Sequence, residues 1–236
     1  MYYYDPTYIL LLPAIIFTLI AQAKVNSAFK KYSNVRNRKN MTGAEAARRM
    51  LDYNGLQNVR INAVRGNLTD HYNPTDRTLN LSESVYGVNS VAAVSVACHE
   101  AGHALQHAMG YTPMKVRSSI VPVVNITSKL AWPMILIGVL LLGAGGSDMG
   151  GTGLLLMDIG IIGFLAVVIF HAVTLPVEFD ASRRAIDKME ELGLVAAEDI
   201  PGSKKVLRAA ALTYVAALAT AIVNLLRILV IRGRND

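Results

Sequence analysis

The chain has 236 residues, 53% of them apolar and 17% charged, with a formal charge of +6. One cysteine, Cys98, excludes an intrachain disulfide. The basic excess does not point to nucleic acid: there is no zinc-finger spacing or basic–aromatic interleaving, and the positive residues cluster beside apolar runs, as the positive-inside rule describes.

Residues 7–23 carry no charge. The opening MYYYDP lacks the basic start of a signal peptide, so this stretch reads as a retained transmembrane helix with its early tyrosines as an interface belt. Lys24, Lys30, Lys31, Arg36, Arg38 and Lys39 follow directly. MTGAEAARRML at 41–51 predicts a short helix with Thr42 and Glu45 as a capping box. VRINAV at 59–64 alternates like a strand, Gly66 and Asn67 mark a turn, LTDHYN leads into a second strand, and NPTDR turns into a third at 78–82. After a turn at Ser84 to Gly87, Ser90 caps a helix expected to reach about Met109.

Three more apolar runs follow: 120–142, interrupted by Lys129 and Pro133; 152–177, containing Asp158; and 207–230. Each can cross a bilayer core, which takes about 20 helical residues. GAGGSDMGG at 143–151 is a short loop, and 178–206 is polar, helical to about Leu192 and then loop. The expected organisation is a transmembrane helix at 1–23, a catalytic region at 24–119, two transmembrane helices over 120–177, a site-completing helix in 178–206, and a fourth span with a basic tail over 207–236. Four crossings place 24–119 and 178–206 on one side, with 18 of the 23 basic residues. That makes it the cytoplasmic side of the inner membrane, although Arg232 and Arg234 then fall outside.

His99-Glu100-Ala101-Gly102-His103 matches H-E-x-x-H inside a helical pattern. Positions i and i+4 lie on one helix face, so both imidazoles can meet one Zn2+ ion. Glu100 beside them can take a proton from the attacking water and pass it to the leaving amine. The site needs a third protein ligand. His107 is about 12 Å from His99 along the axis and is too far. His171 precedes Pro176, where a kink is expected. Glu178, next to the third span and on the same side as His99, is the strongest candidate, against a reading in which it only complements the helix dipole. His71, in the second strand, is a candidate oxyanion donor beside a strand that can pair with an extended peptide. Cys98 reads as core filler.

LTDHYNP at 68–74, LNLSESVY at 79–86, HEAGHALQH at 99–107 and LPVEFDASRRA at 175–185 together resemble the YugP-like neutral zinc metallopeptidases of bacterial membranes. That family is similar in turn to the HtpX and CAAX-prenyl membrane proteases, in which a helical glutamate completes the zinc site and an aspartate four residues on hydrogen-bonds a zinc histidine. Glu178 fits the glutamate, but the position four on is Ser182, so Ser182 or Asp180 is left as the supporting group. The resemblance implies proteolysis of membrane or membrane-proximal proteins. The sequence therefore predicts an α-helical membrane protein of about four transmembrane helices with a small α+β zincin-like insert, acting as a zinc endopeptidase on protein or peptide substrates in a lipid bilayer. It leaves the oligomeric state open. Two rival classes are a proteolytically inactive zinc-bound membrane scaffold and a membrane transporter using Asp158, Asn224 and Arg227.

Overall fold

The computed structural model describes residues 6–143 and 147–234. The tyrosines at 2–4, part of the 143–151 loop and the last two residues of the tail lie outside them. The chain divides into two compact units: one of residues 1–20, 116–174 and 214–236, the other of residues 21–115 and 175–213.

The first unit is helical. A 3-10 turn over Pro6–Leu10 leads into α1 (Leu11–Ser33), and the unit also takes most of α4 (Thr112–Gly143), the first part of α5 (Ser147–Glu191) and the end of α6 (Ile200–Gly233). These four helices are long and apolar enough to cross a membrane, and the protein is a multi-pass membrane protein. Their outer faces expose residues a water-soluble protein would bury, such as Ile126, Leu140 and Ile162. Inside the unit, α4 and α5 cross at glycines: a Cβ on Gly138 would come 2.6 Å from the Gly153 carbonyl oxygen. Close approach at small residues is how helices gain contact where lipid removes the hydrophobic drive. Asp158 pairs with Arg232 at 2.8 Å, which neutralises both within this unit.

The second unit is α+β. Its helices are α2 (Gly43–Tyr53), α3 (Val91–Ala108), the second part of α5, the end of α1 and the start of α6. Thr42 and Glu45 form the capping box at α2, and the Ser90 hydroxyl caps α3 by accepting from the Ala93 N–H. The three strands β1 (Arg60–Val64), β2 (His71–Asn73) and β3 (Thr78–Ser82) order as β1-β3-β2. β1 runs parallel to β3, and β2 pairs antiparallel to it through the NPTDR turn. Met50, Leu51, Leu79, Leu81, Leu105, Met189 and Leu194 are fully buried between sheet and helices. Cys98 is buried among them, and burial pushes its thiol up to about 12, which agrees with a filler role.

Helix ends differ from the sequence expectations in one direction. α1 continues ten residues beyond residue 23, α4 begins at Thr112, and α6 begins at Ile200 rather than 207. Apolar content marks what can enter lipid, but helical hydrogen bonding continues into polar flanks wherever a face still packs. Pro176 does not end the helix: α5 is helical over 45 residues, Ser147–Glu191. Proline removes one backbone bond at a cost of about 3 kcal/mol. Burial of Val177, Glu178 and Ala181 in the turns beyond it favours keeping the helix.

Candidate metal centre

α3 carries His99 and His103 on one face, with their rings edge to face and centroids 4.8 Å apart. The ligand atoms of His99, Glu100 and His103 all lie within 4.8 Å of one another, a group able to hold a metal ion. From α5, Glu178 Oε2 approaches His99 Nε2 at 3.2 Å and His103 Nε2 at 3.5 Å. Two ligand atoms at about 2.1 Å from a tetrahedral ion are about 3.4 Å apart. The nitrogen–oxygen distances bracket that value, so the two imidazoles and the Glu178 carboxylate fit a zinc-sized ion better than the Glu100 carboxylate, which is engaged elsewhere.

The outer hydrogen bonds assign the ring protons. Gln106 Nε2 donates to the Val177 carbonyl at 2.7 Å and to Asp180 Oδ2 at 3.0 Å. Its Oε1 is therefore left to accept from His103 Nδ1, 3.0 Å away. That places a proton on Nδ1 and turns Nε2 toward Glu178, the atom that donates to the carboxylate when the ring is protonated and is free to bind a metal when it is neutral. His99 Nδ1 lies 3.1 Å from Ser182 Oγ, which positions the second ring likewise. Asp180 is held by Arg184 at 2.5 Å and by Arg183 at the same distance. The support for the two histidines is thus divided: Ser182 touches His99 directly, and Asp180 reaches His103 through Gln106.

The electrostatics favour a cation between these groups. Burial pushes the Glu178 carboxyl up, but hydrogen bonds from His103 and His99 outweigh it and hold it well below the usual range. Burial pushes the His103 imidazole down, while Glu178 and the Glu100 charge more than offset this and leave it raised. A carboxylate that stays ionised beside one buried and one half-buried imidazole is one that wants positive charge.

Glu100 points to the sheet. Its Oε2 accepts the Tyr72 backbone N–H at 3.0 Å. Because Tyr72 is paired with Leu79 on β3 yet gives its N–H to Glu100, its polar groups face the free edge of β2. Asp70 fixes the start of that strand by accepting from the Ser82 N–H at 2.7 Å and the Ser82 hydroxyl at 2.9 Å. Burial pushes the Asp70 carboxyl up.

Among the candidate site residues, the fold brings His99, Glu100, His103 and Glu178 together. His71 is exposed on β2, with Nδ1 2.9 Å from the Thr69 carbonyl and Nε2 3.1 Å from Asn80 Nδ2. His107 Nδ1 pairs with the Tyr72 hydroxyl at 2.8 Å, and His171 lies against Phe170. Sequence reasoning missed Gln106, Asp70 and the Tyr72 amide. Gln106 had a signal: it stands three residues beyond His103, on the same helix face.

Gly102 lets α3 and α5 meet. A Cβ there would lie 2.7 Å from the Ala181 carbonyl oxygen, one residue from Ser182. Gly102→Ala is therefore expected to destabilise the protein by about 1–3 kcal/mol through overpacking and to weaken metal retention by moving Glu178 off the histidines. Gly151→Ala, where an added Cβ meets nothing within 4 Å, is the control. Thermal unfolding and metal content of both variants check this, and equal behaviour would refute it.

The comparisons with known proteins bear on this geometry. A family described as "Putative neutral zinc metallopeptidase" matches residues 7–233. The chain is 48% identical over 218 residues, 92% of each chain, to the "Putative membrane protease YugP" of Bacillus subtilis (strain 168). No solved structure matches it.

Proposed function

The chain belongs to the neutral zinc metallopeptidase family and is a membrane metallopeptidase; from that premise we propose an endopeptidase with one Zn2+ ion, held by His99 and His103 through Nε2 and by Glu178. The observation that carries this reading is the pair of 3.2 and 3.5 Å distances from Glu178 Oε2 to the two imidazoles. The donor set of two imidazoles and a carboxylate suits zinc, which when bound acidifies water and polarises a scissile carbonyl.

The chain's own groups do the rest. Ser182 and Gln106 hold the histidine rings with their Nε2 atoms turned inward. Glu100, which the Tyr72 N–H holds before a strand docks, takes the proton of the attacking water and returns it to the departing amine. The free edge of β2 offers an extended peptide a strand to pair with. His71 can assist an oxyanion only if its Nε2 leaves Asn80 and takes up a proton, since that nitrogen now accepts rather than donates. The substrate class is protein in or beside the bilayer, and the proposed site faces the cytoplasm, supported by the basic residues of 24–39 after the first span.

The test is cleavage of an unfolded model protein by detergent-purified enzyme. Cleavage should stop when a chelator strips the metal and return on adding zinc; undiminished cleavage after complete stripping would overturn the reading. Because Cys98 is the sole cysteine and is buried, a Thr75→Cys variant carries one accessible thiol. An impermeant thiol reagent should label it in inverted vesicles and not in intact cells, and the reverse pattern would place the site outside.

A further inference from the structure

Beside the proposed site, in the same unit, lies a cavity of about 280 Å³ that the steps above leave unused. Tyr72 joins the two. Its backbone N–H holds Glu100, and its hydroxyl meets His107, which lines the cavity one helical turn beyond His103, about 6 Å along the axis. Ala104 of α3 lies on the wall between those histidines, with Leu56 and Val59 also lining the cavity.

Several polar groups of this cavity can donate, and Asn58 on its rim offers both an amide N–H and a carbonyl. The carbonyls of Leu56 and Val59 are taken by the Arg48 guanidinium, at 2.9 and 2.6 Å. Tyr72 and His107 share one hydrogen bond, so in either neutral tautomer one proton of the pair is left over: the ring Nε2–H when tyrosine donates, the phenol O–H when the ring does. Arg77 lines the cavity and is exposed. It has no ion-pair partner among the described residues, and the adjacent Asp76 gives one carboxylate oxygen, Oδ1, to the Thr78 N–H and hydroxyl. Arg77 also sits at a φ of 53°, where glycine or asparagine is the usual occupant of a turn. A left-handed arginine is a sparsely populated conformation of the kind that gathers at binding sites.

We propose that this cavity is a specificity subsite for an acidic side chain of the substrate, Asp or Glu, near the scissile bond. Arg77 is its counter-charge, and the Tyr72–His107 pair supplies a hydrogen bond. The volume suits one side chain, the lining offers cationic and neutral donors, and Tyr72 ties the cavity to the base that does the chemistry. This rests on the peptidase reading.

The experiment uses the full-length, zinc-replete protein in detergent and a set of peptides carrying Glu, Gln or Lys at each position around one cleavable bond, with products mapped by mass spectrometry. At one position, Glu should raise kcat/KM over Gln about tenfold, the scale of one partly exposed charge-assisted hydrogen bond. Arg77→Glu should reverse the order in favour of Lys at that same position, a gain that mere structural damage does not produce. Uniform cleavage across the set, or a Glu preference that survives Arg77→Glu, would overturn the subsite. If no peptide is cleaved, the peptidase reading fails instead, and fluorescence anisotropy of the labelled Glu and Gln peptides decides the subsite separately. Tighter Glu binding that is lost in Arg77→Glu supports it, and equal binding overturns it.

Discussion

Glu100→Gln is expected to lower peptide hydrolysis by about 10³-fold, within the range of a lost general base, while metal content and fold stay as in the parent. The reason for so clean a separation is geometric. Glu100 accepts the Tyr72 N–H through one carboxylate oxygen, and the glutamine carbonyl can accept the same bond from the same place. The substitution removes basicity and little else. Turnover of an unfolded protein, measured beside zinc content and circular dichroism, checks it. A variant that cleaves at the parental rate would sink the role given to Glu100.

Glu178→Gln should act on the other half of the site. The proposed ligand loses its charge in a pocket where two imidazoles converge on it and where it is nearly fully buried. Changes to groups that merely orient metal ligands already cost about 10–100-fold in affinity, so loss of an anionic ligand should cost about 100-fold or more. Competition with a chromophoric chelator measures this directly, and hydrolysis should fall in parallel at limiting zinc. Unchanged zinc affinity in Glu178→Gln would instead make another group the third ligand.

The parts of the fold legible in the sequence were those set by local spacing. The capping box at Thr42 and Glu45, the Ser90 cap and the H-E-x-x-H face all depend on residues three or four apart. The hairpin of β2 and β3 was legible from its turn residues, whereas the parallel pairing of β1 with β3 joins segments whose alternation says nothing about partner or direction. From spacing alone Glu178 could be selected only as a nearby acid after a span, since its link to His99 crosses 79 residues, and the family resemblance supplied the rest. The Tyr72 amide left no trace at all, because every residue but proline owns an N–H. Ser182 and Asp180 looked like competitors for one role. They turned out to serve different histidines, and the residue that reconciles them, Gln106, contributes a bridging amide that has no charge to draw attention.

The bond between Glu100 and the Tyr72 amide has a consequence for how recognition and reactivity are linked. Within the three residues of β2, Tyr72 is the one whose N–H faces outward, and the next outward position, Pro74, has none. A chain that adds to this edge at Tyr72 must take that proton donor from the carboxylate. Docking and arming then draw on a single shared N–H: until a strand arrives, the edge is stoppered by the enzyme's own base, and bystander polypeptides find no vacant donor there to template on.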